Sequence, residues 1–125
     1  MDKSKIAELV ANILYIDDPK TIDTAKSLFR DYGMSSIDYI DFSFELQAHC
    51  GSNFSPDELW PVNSMLTDPA FFVDGKWTVA GEAYLRDLFQ GFPLPASLDT
   101  RSLYTLFSID FVASRLTRIS GNPNG

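Results

Sequence analysis

Apolar residues recur at helical spacing in several stretches of the chain, separated by turn-forming residues. In residues 4–16, "SKIAELVANILYI", Ile6, Leu9, Val10, Ile13 and Leu14 fall on one stripe of a 3.6-residue period. That spacing predicts an amphipathic helix capped by Ser4 and ended by "DDPK", because Pro19 disfavours helix in the residue before it. Residues 21–33, "TIDTAKSLFRDYG", are polar with isolated anchors at Ile22, Leu28 and Phe29, and read as a long connection with a helical turn over 23–28. In "SSIDYIDFSFELQAHCG", Ile37, Ile40, Phe44 and Ala48 define an apolar face that Tyr39, Phe42 and Leu46 widen, and Gly51 supplies a left-handed stop. A helix over 36–50 follows from this pattern. A short helix over 55–60 follows from "SPDELW": Ser55 caps it, Pro56 takes its first position and Pro61 ends it.

Residues 61–100 are different in character, dense in prolines and in aromatics that include Phe71, Phe72, Trp77, Tyr84, Phe89 and Phe92. Disordered segments are poor in aromatics, so this stretch is expected to be ordered and packed. Within it "TVAGEAYLRDLF" suits a helix capped by Thr78, weakened at Gly81 by up to about 1 kcal/mol relative to Ala. "FFVDGKWTV" suits a small hairpin around Asp74-Gly75. The last apolar pattern, "DTRSLYTLFSIDFVASRLTRI", predicts one long helix to residue 119 through Leu103, Leu106, Phe107, Phe111, Val112 and Leu116. Arg115 and Arg118 would favour the dipole in its final turns. "SGNPNG" reads as a frayed tail. With no internal repeat and no extended strand pattern, the expected fold is all-α, a single domain over residues 1–125.

Composition narrows the function. A chain that is 45% hydrophobic and 22% charged can build a core. The lone Cys50 excludes an internal disulfide and fits a reducing compartment. Glu8, Asn12 and Asp17 interrupt the first apolar stretch, so no signal peptide is expected, no run is long enough to span a membrane, and the expected location is cytoplasmic. The net charge of −7 argues against nucleic acid. From Asp31 to Trp60 there is no Lys or Arg, while Asp31, Asp38, Asp41, Glu45, Asp57 and Glu58 make an acidic stretch suited to basic partners. No zinc pattern, calcium loop or glycine-rich phosphate loop appears, and no metal is expected. His49 and Cys50 are helix neighbours that do not face each other. Ser36 has no credible base, since His49 is the only histidine and lies far along the helix. Catalysis by the chain itself is not expected.

The serine pair at 35–36 is the most informative local feature. Ser35 followed by Asp38 matches a capping box in its acidic form, with Ser35 as the helix cap. Ser36 then occupies the first helical position without a capping role, facing solvent where unpaired N–H groups and the helix dipole favour an anion. Gly33 lets the preceding loop turn sharply.

Residues Gly33 to Phe42, "GMSSIDYIDF", resemble the signature of acyl carrier proteins, Gly-x-Asp-Ser-Leu-Asp followed by alternating apolar and acidic residues. The resemblance implies a four-helix bundle in the order long helix, long loop, helix beginning at the modified serine, short helix, final helix. "YTLFSIDFVASRL" is similar to that final helix. It also implies that Ser36 carries 4′-phosphopantetheine, installed from coenzyme A by a phosphopantetheinyl transferase, with acyl groups held as thioesters at the end of the arm. Asp38, Asp41 and Glu45 would meet the basic docking surfaces of partners such as an acyl-carrier synthetase, a ketoacyl synthase or an acyltransferase, and the protein would act as a monomer. Two departures stand out. Ser35 replaces the usual aspartate, and residues 61–100 form a partly helical insertion before the last helix. They suggest a specialised carrier for a lipid or secondary-metabolite pathway. The insertion would enlarge the core, line or lid a cavity for an unusual acyl chain, or present a docking surface, with Phe71, Phe72 and Trp77 as its test residues. The alternative is an unmodified helical interaction module of degenerate carrier fold.

Overall fold

The computed structural model describes residues 2–51 and 53–120. Helix α1 spans Lys3–Leu14 and begins one turn position earlier than Ser4 suggested. Its cap is Asp2, whose carboxylate accepts from the Lys5 N–H at 2.8 Å. An anionic cap satisfies an orphan donor and also meets the positive end of the dipole, so it outcompetes the neutral hydroxyl two residues on. Ile6, Leu9 and Val10 are buried, while Ile13 and Leu14 only border the core. The loop that follows holds a 3₁₀ turn at Pro19–Thr21 and hydrogen-bonded turns where a helical turn over 23–28 was expected. The Asp23 carboxylate accepts from the Ala25 N–H at 2.9 Å, giving the backbone a local alternative to helix.

Helix α2 spans Ser36–Cys50 and ends at Gly51 in the left-handed conformation, φ 70°. Its broad apolar pattern resolves into two faces. Tyr39, Phe42 and Leu46, at helical i, i+3, i+7 spacing, are buried together with Ser43. Ile37 (74% exposed), Phe44 (56%) and Ile40 (40%) lie on the open side, so the residues that first define the apolar face are not the core face. Helix α3, Pro56–Leu59, has a second capping box between Ser55 and Glu58.

The insertion opens with the short α4, Val62–Met65, and a two-stranded hairpin, β1 Phe72–Val73 with β2 Lys76–Trp77. Asp74 and Gly75 both take positive φ, 53° and 76°, as a tight hairpin turn requires. Helix α5, Val79–Leu88, is capped by Thr78 and buries Leu85 and Leu88. Phe89 follows into the core, 5.7 Å from the Trp60 ring and 5.2 Å from the Phe111 ring. An ion pair between Arg118 and Asp87 at 3.0 Å fastens α5 to the last helix. The insertion therefore enlarges the core.

The final stretch is two helices, α6 at Thr100–Tyr104 and α7 at Ile109–Ser120, where one long helix was expected. The break has clear local causes. The Ser108 hydroxyl accepts from the Phe111 N–H at 3.1 Å and recaps the chain. The Phe107 carbonyl, freed from helical pairing, accepts from the Leu28 N–H at 2.8 Å in the long loop. Phe107 is thereby fully buried, with its ring within 4.6–6.4 Å of those of Phe29, Tyr39, Phe42, Trp60 and Phe111. Arg115 contributes through a hydrogen bond, donating to the Glu58 carbonyl at 2.8 Å and tying α7 to α3. The expected tail over 121–125 lies outside the described residues. The architecture is all-α with one small hairpin.

Gly81 is more than a weak helix former. A Cβ there would lie 2.2 Å from the Phe71 carbonyl oxygen, a backbone atom that cannot swing away. Gly81→Ala is expected to lower stability by about 1–3 kcal/mol through overpacking, outweighing a propensity gain of about 1 kcal/mol. Urea denaturation followed by circular dichroism checks the sign: a stabilised variant would show that the contact between the Phe71 backbone and α5 is loose.

Candidate functional site

Ser35 and Ser36 stand at the mouth of α2 with different surroundings. The Ser35 hydroxyl accepts from the Asp38 N–H at 3.1 Å, and the Asp38 carboxylate accepts from the Ser35 N–H at 3.0 Å. Together they form a reciprocal capping box. Ser36 occupies the first helical position and is exposed, and its hydroxyl has no hydrogen-bond partner among the described residues. The backbone N–H groups of Ser36 and Ile37 are likewise without a protein acceptor. Unpaired donors at the positive end of a 15-residue helix favour an anion beside that hydroxyl.

The loop before α2 holds this helix end in place. Gly33 turns the chain at φ 69°, and the Met34 N–H donates to the Leu28 carbonyl at 2.9 Å. Met34 is buried, which anchors the residue immediately before the serine pair. The Ser27 hydroxyl donates to the Tyr104 carbonyl at 2.7 Å and accepts from the Arg30 N–H at 3.1 Å. These bonds set Phe29 against Tyr104, ring centroids 5.3 Å apart. From the insertion, the Asn63 side-chain oxygen accepts from the Tyr104 hydroxyl at 2.8 Å. Met34, Ser36, Phe29, Tyr39, Tyr104 and Asn63 thus line an open cavity of about 270 Å³. The Tyr39 hydroxyl donates to the Pro56 carbonyl, and burial first, then the Asp57 charge, pushes its pKa above the ordinary phenol value, so it stays neutral.

The three acidic residues have unequal roles. The Asp38 carboxylate is engaged in the cap, whereas Asp41 and Glu45 are exposed beside Phe44 along a shallow depression between α1 and α2. Glu45 also lies 3.7 Å from His49 one turn on. Ile37, Ile40 and Phe44 were missed as surface residues. Their signal was an excess of apolar positions, more than one helix face can bury. Cys50 is half-buried, and no cluster of ligating side chains that could hold a metal occurs among the described residues.

Residues 4–64 match the family described as "Phosphopantetheine attachment site". That segment is similar to the phosphopantetheine-binding carriers. The match is consistent with a carrier of the acyl carrier protein type; domains of that family hold acyl groups as thioesters on a covalently attached 4′-phosphopantetheine. Such domains are not enzymes themselves; they present substrates to a phosphopantetheinyl transferase and to acyl-handling enzymes. No curated protein and no solved structure matches the chain significantly. No described helix is long and apolar enough to cross a membrane. The serine pair fits the group: an unpartnered, exposed hydroxyl beside free first-turn donors suits a phosphodiester.

The two serines should separate in stability measurements. Ser35→Ala removes the cap and is expected to cost about 1 kcal/mol, while Ser35→Asp restores it. Ser36→Ala breaks no hydrogen bond and should leave the urea midpoint unchanged. A large loss in Ser36→Ala would mean that the hydroxyl is structural.

Proposed function

We propose that Ser36 is the residue that carries the arm and that the whole chain works as one carrier domain. The observation supporting this is the exposed, unpartnered Ser36 hydroxyl, released from capping by Ser35 within the segment that matches the family. In loading, the Ser36 oxygen forms a bond to the phosphorus that bears the pantetheine of coenzyme A. The pyrophosphate bond breaks, adenosine 3′,5′-bisphosphate leaves, and the serine proton passes to the transferase. Once attached, the arm supplies a thiol that holds an acyl group as a thioester. The chain's own residues position that arm, support the helix end and present a surface to partner enzymes.

That surface is α2. Asp41 and Glu45 carry its free negative charge, Asp38 sets its end, and Ile37, Ile40 and Phe44 add exposed apolar contact. Charge of this kind steers a basic partner and fixes orientation, while the apolar residues contribute burial once the complex has formed. The insertion shares the core with the rest of the chain through Leu85, Leu88 and Phe89, which supports a single domain. Its presence, with serine in place of aspartate before the attachment point, supports a specialised lipid or secondary-metabolite pathway over general fatty acid synthesis. The single cysteine fits a reducing, cytoplasmic setting.

Two outcomes are expected. Incubation with coenzyme A and a broad-specificity phosphopantetheinyl transferase should add the mass of the arm to the wild type and to Ser35→Ala, and nothing to Ser36→Ala. Failure of the wild type to gain mass with several transferases would favour an unmodified interaction module. Separately, Asp41→Lys with Glu45→Lys should raise the transferase KM several-fold at low salt, and less as salt rises, because exposed charges are screened. An unchanged KM would remove these residues from the docking surface.

A further inference from the structure

We propose that the cavity lined by Arg30 and Arg101, which adjoins the one at Ser36 across Phe29 and Tyr104, seats a cargo that ends in a carboxylate, a reading that rests on Ser36 bearing the arm. Phe29 and Tyr104 belong to two cavities at once. On one side lies the 270 Å³ cavity that includes Ser36. On the other, a cavity of about 770 Å³ is walled by the same two rings with Arg30, Pro95, Arg101, Ser102 and Thr105. No carboxylate lines either one. The two cavities therefore adjoin at Phe29 and Tyr104, one containing the attachment serine and the other lined by two arginines.

The position of the two arginines is what matters. The chain has a net charge of −7 and no Lys or Arg between Asp31 and Trp60, yet two cations stand in the wall beyond Ser36. Among the described residues neither side chain makes an ion pair or hydrogen bond. Lys20, Lys26, Lys76 and Arg86 are likewise unpaired among the described residues, but none of them lines this cavity. Asp99, near Arg101, is already occupied: its carboxylate accepts from the Ser97 hydroxyl and the Ser102 N–H, both at 2.8 Å. Those hydrogen bonds hold it below the usual carboxylate range before Arg101 adds a smaller effect. Both arginines have anchored backbones. The Arg30 N–H is bonded to Ser27, and Arg101 sits in α6, one turn before Tyr104.

This arrangement selects a class of cargo. The phosphodiester of the arm is confined to Ser36 and the first turn of α2, in the first cavity. An anion that reaches the second cavity must be carried farther out, at the free end of the acyl group. Aromatic walls accept methylenes, and paired guanidinium groups bind a carboxylate with charge-assisted hydrogen bonds. The fitting cargo is therefore an ω-carboxyacyl group rather than a simple fatty acyl chain.

The test uses the full chain loaded by a promiscuous transferase from hexanoyl- or adipoyl-coenzyme A, acyl groups of equal length that end in methyl or carboxylate. Arginine Nε–H resonances are read by ¹H–¹⁵N spectroscopy, and thioester lifetime is read in dilute hydroxylamine. The adipoyl form should shift the Arg30 and Arg101 resonances and survive several-fold longer than the hexanoyl form. Arg30→Gln with Arg101→Gln, both exposed, should abolish the difference, whereas Arg86→Gln should keep it. Equal shifts and lifetimes for the two acyl groups would overturn the proposal, as would the same arginine shifts in protein bearing the bare arm. Absence of any mass gain on loading would instead overturn the reading of Ser36 itself, and is seen before the acyl groups are compared.

Discussion

The hydrogen bond from the Leu28 N–H to the Phe107 carbonyl organises much of the molecule. It exists only because the last apolar stretch is not one helix. In an unbroken helix that carbonyl would accept from Phe111 four residues later. The break turns it toward the long loop, and the same turn drives the Phe107 ring into the centre of the core. Around it stack Phe29 from the loop, Tyr39 and Phe42 from α2, and Trp60 after α3. A loop with three isolated apolar anchors has few contacts of its own, and buried pairing to a fixed carbonyl gives it one conformation. Because that loop ends at Gly33 and Met34, its fixation also fixes where α2 begins and where Ser36 points.

Capping and periodicity made much of this legible from the chain alone. The starts of α2, α3 and α5 follow from Ser35, Ser55 and Thr78, since each places a side-chain acceptor three residues before a free N–H. Glycine and proline placed the ends of α2 and α3 for equally local reasons. Misreadings arose where a tertiary partner decides between local choices. Ser108 in an apolar run looks like an ordinary helical residue until Leu28 claims the carbonyl beside it. Tyr39, Phe42 and Leu46 compete with Ile37, Ile40 and Phe44 for the core, and only packing against α1, α3 and the Phe107 ring separates the two sets. Gly81 reads as a defect by propensity, yet it is the residue that lets α5 approach the Phe71 backbone. The attachment candidate was visible for the opposite reason. A hydroxyl left over after capping is a local statement, whereas the cavity beside it, built from four separate segments, is not.

The exchange of aspartate for serine before Ser36 alters electrostatics more than architecture. Either residue satisfies the Asp38 N–H, so the helix end keeps its geometry. What changes is the field at the next residue. An aspartate would place a full negative charge beside a phosphodiester, and Ser35 leaves the free first-turn donors less compensated. The remaining carboxylate, that of Asp38, is partly neutralised by the Ser35 N–H it accepts. An anionic group on Ser36 therefore meets less repulsion here, while a transferase that recognises the aspartate finds it absent.

The insertion's position in the chain explains how it influences the site without containing it. It leaves the core at Trp60 and returns at α6, so its two ends flank the ring cluster. One end supplies Asn63, bonded to Tyr104 over the first cavity. The other supplies Pro95 and then α6 itself, with Arg101 in the second cavity. Between them, Leu85, Leu88 and Phe89 bury enough apolar surface to hold the segment rigidly against α7. A flexible appendage at the same point would leave Tyr104 and Arg101 free to move, and the two cavities would have no fixed shape. Packing in the insertion and the shape of the space beside Ser36 are thus one physical property. The residues that enlarge the core also hold the wall that a bound acyl group would meet.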